Sequence, residues 1–262
     1  MRFACVNAIA PGDSFAQQCA AIAETGCVGV EAIVFPDTDL AAWQQEVRTA
    51  CANTGLTLVS VVLGGLALHQ PGQRVYVQRA MIAIRELGAA VLFTPEYASQ
   101  NPLPLWPPFP QPSPDEQRCV DAQMRDMSEL ARQLNVRMFI EPITQFESRC
   151  CRDVATAVAM CEGLNNPLVQ VALDTHNMNI TEADIAASIR HAGAHIGHVH
   201  LSDSNRRMPG LGHLNFAEVL AALHQVSYAG WLSFECAATD AFGPCVRKTI
   251  QRLRELNQEI QR

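Results

Sequence analysis

The chain has 262 residues, 48% of them hydrophobic, with 15 glycines, 15 prolines and a formal net charge of −7. This composition is typical of a globular protein with a large core and many turns. The acidic balance gives little attraction to phosphate backbones or anionic membrane surfaces, and no apolar run approaches the roughly 20 residues that span a bilayer. We therefore expect neither a nucleic-acid partner nor a membrane partner.

The amino terminus and the cysteines indicate the compartment. Residues 1–14 carry one early arginine and a short apolar stretch, without the longer apolar region and cleavage site of a secretory signal. The ten cysteines form no C-x-x-C pair, so neither a zinc ribbon nor a redox motif is predicted. We expect reduced, mainly buried thiols in a cytoplasmic protein.

Short β-rich runs alternate with longer segments of helical period, which is the pattern of parallel βα units. We predict eight strands, at residues 3–9, 28–34, 56–63, 89–94, 136–141, 168–174, 195–201 and 230–235. Eight strands, each followed by a helix, match the size and rhythm of a TIM barrel.

The helix between the fourth and fifth strands has the clearest signals. Ser113-Pro114-Asp115-Glu116 predicts an N-cap, a proline in the first turn and a capping glutamate, and apolar residues follow at helical spacing. The final helix follows Pro244, with Val246, Ile250 and Leu253 on one face. An open doubly wound sheet is the alternative, but no G-x-G-x-x-G follows the first strand. We predict an α/β fold, a single (β/α)8 TIM barrel domain over residues 1–262.

Two connections are unusual. Residues 64–72 follow the third strand, and residues 95–114 form a long proline-rich loop after the fourth. Both fall on the face where barrels of this type carry their active sites, so we expect them to wall a substrate pocket.

Ionisable residues mark the carboxyl ends of four successive strands. The fifth strand ends in Glu141, the sixth in Asp174 and the eighth in Glu235, and the seventh reaches His200. Because active sites of this fold lie at these strand ends, the four side chains converge if each faces inward. Three carboxylates and one imidazole suit a divalent ion such as Mn²⁺, Mg²⁺, Co²⁺ or Zn²⁺. His198 has the same inward parity one layer deeper, which favours a core or supporting role.

The segments that carry these residues resemble a known family. They are FIEPITQFES (139–148), VALDTHNMNI (171–180), GHVHLSDSNRRMPGLGHLNF (197–216) and SFE (233–235). They are similar to the xylose isomerase-like TIM barrel superfamily, and within it to the ketose 3-epimerase group that includes D-tagatose and D-allulose 3-epimerases. The likeness is specific in the C-terminal half, whereas the N-terminal half matches generically, through strand rhythm and GVEAI (29–33).

The resemblance implies an activity. It implies a metal-dependent sugar isomerase or epimerase that moves a proton beside a carbonyl through an enediolate, most simply a ketose 3-epimerase. One divalent ion, with Mn²⁺ as the first choice, would be held by Glu141, Asp174, His200 and Glu235. Glu141 and Glu235 would also act as the acid/base pair. The same likeness suggests a homo-oligomer.

The resemblance also implies substrate contacts. Glu147 and Arg206 fall where the family has a carboxylate and an arginine that contact substrate oxygens. Many relatives have a substrate-binding histidine three residues after the aspartate, where this chain has Asn177. Either His176 takes that role or Asn177 replaces it with a neutral amide.

Other functions use similar residues. A dehydratase, or an epimerase acting on a keto-polyol or keto-glycoside, also begins by removing a proton beside a carbonyl. An apurinic-site endonuclease of similar fold needs an Asp-x-His after the seventh strand, whereas Asp203 is followed here by Ser204 and Asn205. A non-catalytic sugar or metal binder is a third class, and the two glutamates argue against it.

Overall fold

The computed structural model describes residues 1–98, 103–237 and 241–262. Eight parallel strands form a closed barrel in chain order, in which the first strand pairs with the last. The strands are β1 (Arg2–Val6), β2 (Gly29–Val34), β3 (Thr57–Leu63), β4 (Ala90–Phe93), β5 (Met138–Ile140), β6 (Val169–Asp174), β7 (Ile196–Leu201) and β8 (Trp231–Phe234). The predicted α/β fold, a (β/α)8 TIM barrel, is confirmed.

Helices alternate with the strands in the described ranges. They are α1 (Phe15–Ala23), α2 (Leu40–Thr54), α3 (Arg74–Leu87), α4 (Pro114–Leu134), α5 (Val154–Leu164), α6 (Thr175–Thr181), α7 (Ile185–Ala192), α8 (Phe216–Gln225) and α9 (Phe242–Ile260). Two of them, α6 and α7, follow β6. In the described parts of the chain, no helix combines the length and the apolar character needed to cross a membrane.

The strand boundaries differ from the predicted ones at functionally important ends. The first strand stops at Val6, and Asn7–Ile9 form a 3-10 turn that the apolar pattern alone did not separate from the strand. Glu141 and Glu235 each lie one residue beyond β5 and β8. The backbone N–H of Glu141 still donates to Phe93 O at 2.9 Å, so this residue keeps the direction of its strand.

The predicted start of α4 is confirmed in detail. The Ser113 hydroxyl accepts a hydrogen bond from the Glu116 N–H at 3.3 Å, and the Glu116 carboxylate accepts one from the Ser113 N–H at 2.8 Å. This reciprocal pair satisfies two backbone donors that would otherwise lack partners at the helix start.

A small apolar cluster lies in the barrel interior below the strand ends. Leu92, Phe139, Ala172 and Ala90 are buried there, with Val62 packed against them. Phe139 and Ala172 precede Glu141 and Asp174 by two residues, so alternation along each strand turns these acidic side chains inward as well. The apolar cluster therefore lies beneath the carboxyl ends of the strands, where the acidic side chains face a pocket.

The two unusual connections lie side by side at that end. The Leu68 N–H donates to Pro95 O at 2.8 Å, and Ala67 forms an isolated antiparallel bridge with Glu96. Residues 99–102 of the proline-rich connection, predicted to wall the pocket, lie outside the described residues.

Candidate metal centre and substrate pocket

The four predicted metal ligands meet at the carboxyl end of the barrel. His200 Nδ1 lies 3.0 Å from Glu141 Oε1 and 3.3 Å from Glu235 Oε2. One ligand atom from each of Glu141, Asp174, His200 and Glu235 lies within 4.8 Å of the others. These side chains are buried except that of Glu235, which is 23% exposed towards the pocket. Their convergence follows from inward alternation on four adjacent strands.

The donor set fits a divalent cation. Three carboxylates and an imidazole form the mixed oxygen and nitrogen set that Mn²⁺, Mg²⁺, Co²⁺ and Zn²⁺ accept. The four donor atoms converge closely enough that one ion could be held among them. Buried carboxylates at such separations repel one another, and a cation removes that repulsion.

The two glutamates differ in their electrostatic surroundings. Burial raises the pKa of Glu141 to about 7, with His200 opposing the rise and Glu235 adding to it. Burial would also raise the pKa of Glu235, but His200 and Arg206 outweigh it and hold this pKa at about 2. Without an ion, therefore, Glu141 holds a proton far more readily than Glu235.

Asp174 has two structural roles in addition to its place in the cluster. Its Oδ1 accepts hydrogen bonds from the His176 and Asn177 backbone N–H groups, at 2.7 and 2.9 Å, and so caps the start of α6. Its Oδ2 accepts from the Arg206 guanidinium at 2.8 Å. Burial raises the pKa of Asp174, whereas Arg206 lowers it.

Arg206 connects two of the carboxylates. Besides its bond to Asp174, its guanidinium donates to Glu235 Oε2 at 2.7 Å. Its backbone has φ of 60°, a left-handed conformation within the tight loop after β7. Asp203 holds this loop, because its carboxylate accepts from the N–H groups of Ser204, Gly210 and Leu214 at 2.7, 2.8 and 3.1 Å.

A cavity of about 500 Å³ lies directly over the cluster. Its lining includes Glu141 and Glu235 together with all four predicted substrate-contact residues, Glu147, His176, Asn177 and Arg206. Its other side is largely apolar, built from β2, β3 and the connections that follow them: Ile33, Phe35, Val62, Leu63, Gly64, Gly65 and Leu66. Residues 64–66 belong to the first of the two unusual connections, which therefore walls the pocket as predicted.

His176 and Asn177, the two candidates for one substrate contact, both face this cavity. His176 Nδ1 lies 3.2 Å from Asp203 O, so the ring is tethered to the loop that carries Arg206. Asn177 is 7% exposed. Thr144 Oγ1 donates to the Glu147 carboxylate at 2.8 Å, which fixes Glu147 at the cavity edge.

Sequence reasoning missed a carboxylate beneath the cluster. Glu31, in the middle of β2, is fully buried, and its Oε1 and Oε2 lie 3.0 Å from His198 Nε2 and 3.3 Å from His200 Nε2. The Ser60 hydroxyl also donates to it. The signal was present, because a glutamate inside an apolar strand is almost never buried without partners.

Comparisons with known proteins agree with this architecture. Over 129 residues the chain is 35% identical to an L-ribulose 3-epimerase of Mesorhizobium japonicum, covering 49% of this chain and 43% of that protein. It is 24% identical to the 3-dehydro-D-guloside 4-epimerase of Escherichia coli, over 73% of this chain and 76% of that one. The crystal structure of the E. coli 3-keto-D-glucoside 4-epimerase superposes with a TM-score of 0.84 at 21% identity, covering 97% and 99% of the two chains. The matched segments span half or less of the curated ketose 3-epimerases.

The fold and the buried Glu/Asp/His cluster define a class of parallel barrels with a cation site at the carboxyl ends of their strands. The model of the xylose isomerase-like TIM barrel family matches residues 19–256. The chain belongs to this family, and the resemblance predicted from its motifs is confirmed.

Proposed function

We propose that the protein is a metal-dependent sugar epimerase or isomerase, most simply a ketose 3-epimerase. The observation that carries the proposal is the placement of two glutamates, Glu141 and Glu235, on either side of His200 at the floor of one cavity. The names of the matched relatives, which are L-ribulose and D-psicose 3-epimerases, support the same reaction class.

Glu141, Asp174, His200 and Glu235 would hold one divalent ion, with Mn²⁺ as the first choice among ions that accept this donor set. When bound, the ion supplies Lewis-acid stabilisation of negative charge on the substrate oxygens. The proposal for these residues rests on their convergence and their chemistry.

The two glutamates would exchange protons with the substrate. They reach the cavity from β5 and β8, so a sugar lying between them meets one carboxyl group on each face. The ionised carboxylate takes the proton from the carbon beside the carbonyl, and the C–H electron pair becomes part of an enediolate. The other glutamate, protonated, donates its proton to the opposite face of that carbon, which inverts the centre. Proton exchange with water returns both groups to their starting states.

The remaining polar lining residues would orient the sugar. Arg206 has five N–H donors and can share them between the carboxylates and substrate oxygens. Glu147 accepts hydroxyl protons at the cavity edge. His176 and Asn177 offer a ring nitrogen and a neutral amide, which suits hydroxyl recognition by either residue.

A keto-glycoside is the second candidate substrate, and the length of the match favours it. The likeness to the E. coli 3-dehydro-D-guloside 4-epimerase extends over about three quarters of both chains, further than the ketose 3-epimerase matches. The cavity of about 500 Å³ also lies well within the range of about 300–1,000 Å³ typical of small-molecule sites. Its apolar side would accept the group attached to the sugar.

Deuterium exchange tests the reaction class. The Mn²⁺-loaded protein is incubated in D₂O with D-tagatose, D-fructose, D-allulose and a 3-keto-glycoside, and the sugars are analysed by NMR for exchanged carbon-bound protons and for epimers. We expect exchange and inversion with at least one of them. If no carbon-bound proton exchanges in any of these sugars, the proposal fails for both substrate classes.

Glutamine variants test the acid/base pair. Glu141→Gln and Glu235→Gln each remove a proton carrier and a charged ligand atom, so turnover should fall by at least about 10³-fold, within the range of lost acid–base catalysis. The exposed Glu129 on α4 offers a matched control, and Glu129→Gln should retain full turnover. If both site variants remain fully active while folded, the roles assigned to the two glutamates are wrong.

Three further proposals rest on the sequence. We propose that residues 1–262 form one domain, that the protein works in the cytoplasm and that it assembles as a homo-oligomer. Light scattering of the purified protein measures the last of these directly. Counting bound metal ions per chain addresses the apurinic-site endonuclease alternative, which would bind a cluster of three.

A further inference from the structure

A buried hydrogen-bonded group lies under the proposed metal site. It consists of Glu31 on β2, Ser60 on β3 and His198 and His200 on β7, and all four side chains are fully buried. We infer that Glu31 is a positioning residue, an inference that rests on the metal site proposed above. Glu31 fixes the His200 ring and its tautomer so that Nδ1 presents a lone pair to the ion.

Three donor groups surround the Glu31 carboxylate. An ionised carboxylate has acceptor sites and no donor, so each partner must bring a proton. The Ser60 hydroxyl and His200 Nε2 approach Oε2, the latter at 3.3 Å, and His198 Nε2 approaches Oε1 at 3.0 Å. Glu31 is therefore satisfied only when both imidazoles carry their proton on Nε2.

The other nitrogen of His200, Nδ1, faces the candidate metal ligands. A neutral imidazole has one N–H, so a proton on Nε2 leaves an unprotonated Nδ1. That Nδ1 lies 3.0 Å from Glu141 Oε1 and 3.3 Å from Glu235 Oε2, at the point where the four candidate ligand atoms converge. A carboxylate that accepts from the far nitrogen of a ligating histidine holds the ring in place and makes it a better ligand.

His198 supports Glu31 from the other side. Its ring stacks on Phe139 with centroids 5.7 Å apart and meets the His200 ring edge-on at 5.0 Å. Among the described residues its Nδ1 has no hydrogen-bond partner, which is tolerable for a lone pair in an apolar layer and costly for an N–H. His198 is thus best accommodated with its proton on Nε2, pointing at Glu31.

The same three side chains allow a different arrangement. Glu31, His198 and His200 have ligand atoms close enough to hold an ion of their own. Such an ion would need lone pairs on both Nε2 atoms, would displace the hydrogen bonds to Glu31 and would be sealed from solvent by fully buried side chains. The positioning role predicts instead one metal ion per chain.

Glu31→Gln is the informative substitution because it keeps the shape and changes the donor count. His198 and His200 approach different oxygens of Glu31, and a glutamine has an NH₂ donor in place of one of them, so in this arrangement it can accept from only one imidazole. The affinity for Mn²⁺, measured by titration with electron paramagnetic resonance, should fall about 10–100-fold, as for other partners of metal ligands. Metal stoichiometry is measured in the same titration.

Glu96→Gln is the matched control. Glu96 is also a buried carboxylate at this end of the barrel, and it is bonded to Arg149 Nε at 2.8 Å rather than to a metal-site histidine. This variant should lose stability without losing Mn²⁺ affinity. If Glu31→Gln binds Mn²⁺ as tightly as the wild type, or if the wild type binds a second ion that this variant loses, the positioning role is overturned.

Histidine tautomers give a readout that depends neither on activity nor on the folding of Glu31→Gln. In the Zn²⁺-loaded wild type with ¹⁵N-labelled histidine, NMR should show His200 protonated on Nε2, and the signal is assigned by its absence in His200→Asn. A proton on Nδ1 would overturn the inference even if Glu31→Gln does not fold. If metal affinity and tautomer behave as expected but no sugar turns over, the proposed reaction fails and the role of Glu31 stands.

Discussion

The two halves of the barrel end in different kinds of residue. Strands β1–β4 end in Val6, Val34, Leu63 and Phe93, whereas β5–β8 lead into or contain Glu141, Asp174, His200 and Glu235. In the cavity the first half supplies most of the apolar wall and the second supplies the charged floor. The difference indicates that one half performs the proton chemistry and the other gives the pocket its shape.

Glu31 is the exception that connects the halves. It belongs to β2, yet its carboxylate reaches across the barrel interior to His198 and His200 on β7. The barrel is closed, so a residue on the apolar side can support a ligand on the charged side from below. The division into an apolar half and a charged half therefore describes the pocket surface, but one layer beneath it the two halves are joined by hydrogen bonds.

Of the three variants that test this comparison, Asp174→Asn in the charged half should have the largest effect. Asparagine is as good an N-cap as aspartate, so α6 should keep its start. The ion loses one negative ligand, and its affinity should fall by more than about 100-fold, beyond the loss typical of outer partners. Thermal unfolding with and without Mn²⁺ measures this, because an ion that binds the folded state raises the melting temperature. A variant that keeps the full Mn²⁺-induced rise would show that Asp174 is not a ligand.

This charged half was also the part that the sequence predicted best. Glu141, Asp174 and Glu235 stand at the ends of recognisable strands, and the parallel barrel makes adjacent strand ends neighbours in space. The period-2 alternation of each strand then determines which side chains point inward. Family, fold and convergence of the four residues could therefore be predicted without coordinates.

What could not be predicted depends on contacts between distant parts of the chain. Glu31 and His200 are 169 residues apart, and nothing local to GVEAI indicates which strand its glutamate faces across the barrel. The left-handed Arg206 and the bonds from one Asp203 carboxylate to three backbone N–H groups likewise depend on how the loop closes on itself. The 3-10 turn after Val6 was missed because Ala8 and Ile9 continue the apolar run, and the polar Asn7 alone did not mark the end of the strand.

An intermediate effect is expected from Phe35→Ala, which tests the apolar half. Phe35 lines the cavity, packs over Gly64 and is 49% exposed, so substrate burial of part of its ring is worth about 1–1.5 kcal/mol. KM should rise roughly tenfold while kcat changes little, since wall contacts bind substrate and transition state alike. Val75→Ala, at an exposed apolar residue of α3 away from the cavity lining, should change neither constant. A fall in kcat at constant KM would mean that the apolar half also takes part in the chemistry.

The smallest effect on the metal site and the pocket should come from Asp203→Asn, which tests whether the loop that carries Arg206 depends on the Asp203 charge. Burial raises the pKa of Asp203, but backbone N–H groups, including those of Leu214, Ser204 and Gly210, outweigh it and hold this pKa below its usual value. A carboxyl group whose native pKa is lowered stabilises the fold fully above its unfolded pKa of about 3.9, and that contribution is lost as pH falls through the lower native value.

Asp203→Asn should therefore lower the free energy of unfolding by about 1–2 kcal/mol at pH 7, as expected when charged hydrogen bonds become neutral ones. The difference between wild type and variant should shrink below about pH 4, where the wild-type carboxyl group begins to lose its advantage. Urea unfolding at pH 7 and pH 3 measures both values. A difference that stays constant between the two pH values would assign the loss to packing, and the loop that carries Arg206 would then not depend on the Asp203 charge.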